Sequence, residues 1–385
     1  MKVFQPGGTI GVFGSGQLGR MLALSAATMG YHTAVFGPEP DAPAYEVSRT
    51  NITADYTDED AIAAFAKQCD VITVEFENVP TRALEVAAMH TAVRPGPSAL
   101  YVCQNRGREK QFLIDQGLPR ARTRALAHTA YDDAKTALSA VLHEFGGEII
   151  VKTAGFGYDG KGQVRVGKEG GLHEAALLAS EQDVVAEEFI TLAGEFSILL
   201  ARGLNGETQA FEPIVNEHEQ QILATSFTGV PRFGIPSGAR GELLATVGEL
   251  QAEAVAIATH IAEAFGYVGL LGVEFFVSSD GRLAVNEIAP RTHNSGHLTI
   301  EACSVSQFAQ QVRAICGLPL GNTNFLRAAR MDNLLGDAWE GGEPAWHEWL
   351  AQPETHVHLY GKAAARAGRK MGHITQTAQA LPSLV

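Results

Sequence analysis

Glu274 and Glu287 lie in two apolar runs, GVEFFV and LAVNE, joined by a stretch rich in turn residues. A four-residue hairpin loop at Ser279–Arg282 predicts that strand pairing sets the two acids opposite each other on one face. Such positions are about 5 Å apart, where like charges repel unless something neutralises them. Apolar flanks make the pair partly buried, which raises that cost. A magnesium ion resolves it by taking one or two carboxylates plus phosphate oxygens of a substrate, with Asn286 as a further oxygen. Two other readings are an acid pair sharing one proton and a pair of solvated strand acids. Upstream, Lys152 precedes Gly155-Phe-Gly157-Tyr158-Asp159-Gly160-Lys161-Gly162-Gln163. This nearly spells a phosphate loop, but Gly162 stands where the metal-binding hydroxyl belongs and a strand follows in place of a helix. A glycine-rich hairpin lid over a nucleoside triphosphate fits better, and a flexible hairpin without a ligand is the alternative. After the second acid come Arg291, His293, Asn294, Ser295 and His297, a run of donors suited to an anionic substrate or intermediate. Zinc is disfavoured at His293 and His297, since no third ligand is near and no H-E-x-x-H is present.

Gly14-x-Gly16-x-x-Gly19 follows a strand and opens a helix, where backbone amides can meet a phosphate. A dinucleotide site wants an acid about 20 residues on. Glu39 is there, but behind Gly37-Pro38, so support for a nicotinamide cofactor is weak. A tight turn that binds nothing is the other reading. Glu75 and Glu77, in VEFENV at the end of the third strand, either read hydroxyl or amine groups of a substrate or cap a helix starting at Asn78. From Thr355 onward there is no Asp or Glu, yet Lys362, Arg366, Arg369 and Lys370 are present, an island of +4 in a chain of net charge −14. Such a patch can focus a phosphorylated small molecule.

These residues need elements to hold them. Apolar runs at Thr9–Phe13, Thr33–Phe36 and Val71–Phe76 alternate with helical segments ending near Met29 and spanning Asp60–Lys67, and Val93 begins a fourth strand. That alternation predicts a parallel sheet with helices on both faces. Beyond residue 115, strand follows strand: Glu148–Lys152, Gln163–Val166, Val184–Ile190, Glu195–Ala201 and Gln209–Val215. An antiparallel or mixed sheet is expected there, with a long helix at Glu242–Phe265 closed by Gly266. The fold class is α/β with α+β. The expected domains are 1–115, parallel α/β and on the substrate side, then 116–325, then a small β-rich 326–385. The middle one divides into a lid part (116–205) and a metal and catalytic part (206–325).

At 385 residues, 45% hydrophobic and 19% charged, the chain can bury a sizeable core and is not disordered. Its acidity argues against general nucleic-acid or anionic-membrane binding, and no apolar stretch approaches the ~18 residues of a membrane span. The start lacks a signal-peptide pattern. Four cysteines without C-x-x-C spacing read as buried thiols in a cytoplasmic protein.

Taken together, GSGQLGRML (14–22), EFENV (75–79), IVK (150–152), GYDGKGQ (157–163), EEFI (187–190), GVEFFV (272–277), NEIAPRTHNSGH (286–297) and GRKMGH (368–373) resemble the ATP-grasp superfamily. Within it they are most similar to the 5-(carboxyamino)imidazole ribonucleotide synthases of purine biosynthesis. The match runs through most of the chain in the family's order. It implies three domains with ATP held between two sheets. By this resemblance ATP meets Arg106, Lys152, residues 157–163, Glu187, Glu188, Phe189, Ile190, Glu195, His218, Asn286 and Glu287. Magnesium goes to Glu274 and Glu287, and bicarbonate or carboxyphosphate to Arg291, His293 and Asn294, which with Lys152 form the catalytic set. The ribonucleotide goes to Gly16, Gln17, Leu18, Glu75, Glu77, Tyr158, Asp159, Lys362, Arg366 and Arg369. Around Arg366 the tail is one residue longer than the family's pattern and lacks its proline. The implied reaction is attack of bicarbonate on the γ-phosphate, then transfer of the carboxyl to the amine of aminoimidazole ribonucleotide, in a cytoplasmic homodimer. A formate-dependent glycinamide ribonucleotide transformylase is the nearest alternative. A nicotinamide dehydrogenase would leave Glu274 and Glu287 unexplained, and a non-catalytic ATP sensor would leave the donor loop so.

Overall fold

The computed structural model describes residues 2–155, 162–229 and 238–379. Five short strands, β1 (Thr9–Phe13), β2 (His32–Gly37), β3 (Thr50–Thr53), β4 (Val71–Val74) and β5 (Ala92–Val93), form a parallel sheet in the order β3-β2-β1-β4-β5. The expected parallel sheet is present, and the half-exposed edge strand β3 (TNIT) is an addition. It carries no apolar run for the eye to find. The strand order reverses between β1 and β4, and open parallel sheets bind ligands outside the carboxyl ends of strands at that point. Both Gly14–Gly19 and Glu75–Glu77 lie there.

A four-stranded antiparallel sheet follows: β6 (Thr123–Leu126), β7 (Ile149–Thr153), β8 (Gln163–Val166) and β9 (Val184–Glu188), ordered β6-β9-β7-β8. The remaining strands are β10 (Leu192–Arg202), β11 (Thr208–Ala210), β12 (Ile214–Glu219), β13 (Ile222–Thr228), β14 (Gly269–Ser278), β15 (Leu283–Ala289), β16 (Ala328–Leu335), β17 (Thr355–Leu359) and β18 (Lys370–Ala378). They make one antiparallel sheet, β15-β14-β10-β12-β13-β16-β18-β17, with β11 beside β10. The C-terminal strands therefore extend the central sheet through the β13–β16 pairing and do not form a sheet of their own. The run Gln209–Val215, expected as one strand, is two. Pro213 between β11 and β12 lacks the N–H a continuous ladder needs.

Alternation positions the acids. Val273, Phe275 and Val277 of β14 point into the core under helix Ala239–Ala264, while Glu274 and Phe276 face the other way into a cleft. Phe275 stacks on Phe196 of β10, ring centres 5.3 Å apart and both fully buried. Each such side chain contributes about 1.5–3 kcal/mol by leaving water, so the strand that carries Glu274 is anchored from behind. Gly266 closes the long helix at φ +56, as its position implied.

Candidate active site

A cleft of about 1570 Å³ runs between the sheets and reaches the C-terminal strands. Glu274 pairs directly with Glu287 across β14 and β15. The route to that register differs from the expected loop. Ser278 N–H donates to the Arg282 carbonyl (2.9 Å), leaving three loop residues, Ser279 to Gly281, with Gly281 at φ +81. Pairing then runs one residue out of step until a bulge between Glu274 and Phe275 on one strand and Glu287 and Val285 on the other restores it. The extra residue is Asn286. Val285 and Ile288 stay in the core while Asn286 and Glu287 both line the cleft. Asn286 Nδ2 donates to Glu274 Oε2 at 3.3 Å.

The two acids have separate surroundings. Glu274 is half-buried, and burial pushes its carboxyl up, but His293 Nε2 at 2.8 Å, with His218 and Asn286, holds it at about 2. Glu287 is pushed up by the protein mass around it and then by the Glu274 charge, although its carboxylate opens onto the cleft. Among the described residues no group of three or more His, Cys, Asp or Glu is arranged as a metal cage. Two facing carboxylates and an amide oxygen are instead a hard-oxygen half-shell, which suits magnesium completed by phosphate oxygens. Nearby on β10, burial and Glu274 push Glu195 up to about 7 against the pull of Lys152, and His218 Nδ1 lies 3.3 Å from it.

Between the sheets sits a buried charge cluster. Lys152 on β7 donates to Glu187 Oε2 on β9 (2.7 Å). Lys110, in helix Arg106–Asp115, is 3% exposed. It lies 3.3 Å from Glu187 Oε1 and 3.7 Å from Glu109, and donates to the carbonyl of Asn286 in the bulge. Against burial, the two ammonium groups hold Glu187 at about 2. Glu109 in turn accepts from the Ile288 backbone N–H at 3.0 Å. One helix thereby ties the four-stranded sheet to the bulge beside Glu287.

The glycine motif is already occupied. Glu75 accepts from the amides of Gly16 and Gly19, the latter at 2.6 Å. Helix Gln17–Thr28 has no side-chain N-cap and no acid in its first turn, so this carboxylate from the end of β4 serves its free amides. A Cβ at Gly14 would fall 2.1 Å from Glu75 Cγ, and one at Gly16 would fall 2.6 Å from Oε1. The glycines make room for a glutamate, and the reading of this turn as a cofactor-phosphate site is corrected. Glu75 caps the helix before it in sequence. The following helix starts at Thr81, not Asn78. Glu77 is paired with Arg291, and although burial pushes it up, that guanidinium keeps its carboxyl below the ordinary range.

Residues 8–104 match the ribonucleotide synthetase preATP-grasp domain, 118–308 the ATP-grasp domain and 329–384 the phosphoribosylaminoimidazole carboxylase C-terminal domain. An N5-carboxyaminoimidazole ribonucleotide synthase from Brucella melitensis is 43% identical over 375 residues, 97% of each chain. The chain belongs to the N5-carboxyaminoimidazole ribonucleotide synthase family. A Bacillus subtilis member is 37% identical, covering 97% of this chain and 92% of the relative. Among solved structures of the family, the Staphylococcus aureus synthetase complexed with ADP aligns with a TM-score of 0.88 at 36% identity, over 98% of this chain and 95% of that one. An Aspergillus clavatus synthase in complex with ADP and the aminoimidazole ribonucleotide aligns with a TM-score of 0.83 at 30% identity, over 98% and 95%.

Of the residues the synthase family pattern implied, the cleft is lined by Gln17, Leu18, Glu75, Glu77, Arg106, Lys152, Gly162, Gln163, Glu187, Glu195, His218, Glu274, Asn286, Glu287, Arg291, His293, Asn294, Lys362, Arg366 and Arg369. Gly16 is not on its wall, its amide being spent on Glu75. Glu188 is held by the Arg122 backbone and side chain, and Phe189 lies under the Arg165 guanidinium at 4.0 Å. Their side chains and that of Ile190 do not line the cleft. Gly157, Tyr158, Asp159, Gly160 and Lys161 lie outside the described residues. Arg366 joins the other three cations of the tail island at the cleft despite the longer tail. Lys110 and Glu109 were missed. Their sequence signal is two charges in helix Arg106–Asp115 that burial would have to pair.

Proposed function

We propose that this chain carries out the ATP- and bicarbonate-dependent carboxylation of 5-aminoimidazole ribonucleotide in de novo purine synthesis, releasing ADP and phosphate. The observation that carries the reading is the union, in one cleft, of a facing carboxylate pair, the Arg291–Asn294 donor loop and the four-cation tail. Glu274, Glu287 and Asn286 would hold magnesium, which supplies charge neutralisation to the nucleotide phosphates. A bicarbonate oxygen attacks the γ-phosphorus, and the bond to the bridging oxygen breaks with its electron pair leaving on ADP. Lys152 and Arg291 face the charge that spreads over the transferring oxygens. The amine of the ribonucleotide then forms its N–C bond as the C–O bond to phosphate breaks with its pair leaving on phosphate, which takes up the amine proton. Lys362, Arg366 and Arg369 orient the ribonucleotide through its phosphate. Residues 1–115 and 326–385 supply the ribonucleotide side and 116–325 the nucleotide side. The enzyme works as a cytoplasmic homodimer.

The test is ADP release with aminoimidazole ribonucleotide, with and without bicarbonate. ADP release that requires both is expected. Turnover that ignores bicarbonate and follows formate would identify a transformylase, and oxidation of a reduced nicotinamide would overturn the reaction class.

A further inference from the structure

The donor loop ends in a 3₁₀ turn, Asn294–Leu298, whose last histidine has no part in the reaction above. Its state can be worked out from Gln307, at the start of helix Gln307–Cys316. Gln307 Oε1 accepts from the His293 backbone N–H at 2.9 Å. A backbone N–H can only donate, so that atom is the carbonyl oxygen and the orientation of the amide is settled. Nε2 of the same side chain donates to the His293 carbonyl (2.8 Å) and lies 3.1 Å from His297 Nδ1. A donor at Nδ1 requires that nitrogen to be bare, which places the ring hydrogen on Nε2. Burial, then the neighbouring His293, His358, Lys370 and Arg291, hold His297 well below its ordinary value, so the ring stays neutral. His373, its nearest ring neighbour at 4.9 Å, is itself pushed down by burial, and Tyr360 is edge-on at 6.4 Å. Phe308 covers another side at 5.8 Å.

His297 is 1% exposed, yet it lines the cleft. Its Nδ1 is committed to Gln307. Its Nε2–H makes no hydrogen bond among the described residues and is not among the polar atoms sealed without a partner. Asn294 stands three residues earlier, and in a 3₁₀ turn such positions eclipse. It also lines the cleft, and its Nδ2 is buried without an acceptor. Asn294 is therefore packed beside the face of the turn from which the His297 N–H opens onto the cleft.

We infer that His297, with Asn294 beside it, donates to an oxygen of the carboxyl group in transfer, and that Gln307 is a positioning residue that keeps the hydrogen on Nε2. This rests on the reaction proposed above. The turn follows His293, which pairs with Glu274 on the nucleotide side, and His297 has Lys370 of the ribonucleotide side among its neighbours. The phosphates have cations on both sides. What remains is the oxygen of the one-carbon unit. As the amine lone pair attacks the carboxyl carbon, charge builds on that oxygen. It is relieved when the C–O bond to phosphorus breaks with its pair leaving on phosphate, which also takes the amine proton. A neutral donor meets this charge without surrendering its proton.

ADP and carboxylated ribonucleotide are to be measured in parallel at saturating ATP, bicarbonate and aminoimidazole ribonucleotide. In His297→Phe, product formation is expected to fall about 100-fold, the scale of one lost oxyanion donor, while ADP release falls far less and the ribonucleotide KM holds within about twofold. His297→Gln, which restores a neutral N–H, is expected to recover most of the coupling. Gln307→Glu turns the partner into an acceptor and is expected to uncouple with His297 still in place. Imidazole nitrogen NMR of the unsubstituted enzyme is expected to show a neutral ring with its hydrogen on Nε2. An unchanged product-to-ADP ratio in His297→Phe, a raised ribonucleotide KM at an unchanged ratio, or a hydrogen on Nδ1 in the unsubstituted enzyme would each overturn the inference. If the unsubstituted enzyme releases no ADP in response to ribonucleotide and bicarbonate, the underlying reaction is wrong. The NMR result stands apart from that failure, and the wild-type spectrum needs no variant to fold.

Discussion

Replacing Lys110 by Met keeps a long unbranched side chain, one heavy atom shorter, and deletes a buried charge. The cluster around it balances: Lys110 and Lys152 face Glu109 and Glu187. At 3.3 and 3.7 Å, and with the effective dielectric of about 20 that fits protein sites, each carboxylate attracts the ammonium by roughly 4–5 kcal/mol. The cost of burying the ammonium offsets much of this, so the expected net loss is about 3–5 kcal/mol, the usual result of orphaning a buried partner. Glu187→Gln alone leaves the cluster with excess positive charge. The double variant restores balance, so it is expected to be about 2–3 kcal/mol more stable than the sum of the single losses. pH sharpens the test. Burial raises Glu109 to about 7. A raised carboxyl contributes stability that is full below its ordinary value and lost as pH rises through the folded one. Without Lys110 its folded value climbs further, so the variant goes on losing stability where the wild type has levelled. The penalty is expected to be larger at pH 8 than at pH 6. Urea unfolding of the four proteins at both pH values is the assay. A Lys110→Met loss under about 1 kcal/mol, strict additivity, or a penalty that shrinks with pH would refute the reasoning.

Three further outcomes are expected. Glu287→Gln should lower kcat by at least about 100-fold with little loss of stability, since under the proposed mechanism it removes a metal ligand facing the transferred phosphoryl; steady-state ADP release checks it. Lys362→Ala should raise the ribonucleotide KM about tenfold, a charge-assisted contact to phosphate being worth about 1.4 kcal/mol or more, and leave the ATP KM unchanged. Gly16→Ala has an ordinary φ of −82, so its cost is space alone: the new methyl meets Glu75 Oε1 at 2.6 Å. A stability loss of about 1–3 kcal/mol is expected, read by thermal unfolding.

The acid pair was legible because period-two alternation and a turn-rich loop constrain register strongly. The reading reached the right partners through a loop one residue too long, and the Asn286 bulge made up the difference. That bulge has no sequence signature of its own. The tail cations were legible as composition, and all four line the cleft. What stayed hidden depends on partners distant in the chain. Arg291 meets Glu77 across 214 positions, and Lys110 gathers groups from two distant strands. In the stretch EEFI, strand alternation turns Glu187 to the cleft and Glu188 to Arg122, so neighbouring letters of one motif acquire opposite duties.

The Gly14–Gly19 turn has a consequence for how such patterns are interpreted and redesigned. Its spelling advertises a vacancy for a dinucleotide, but the vacancy is furnished from within: a side chain 56 positions beyond the last glycine parks its own negative end there. Installing a nicotinamide cofactor would begin with evicting that tenant, by trimming the residue after β4 to something short. The general lesson is to ask what ends the neighbouring strand before counting glycines as an empty berth.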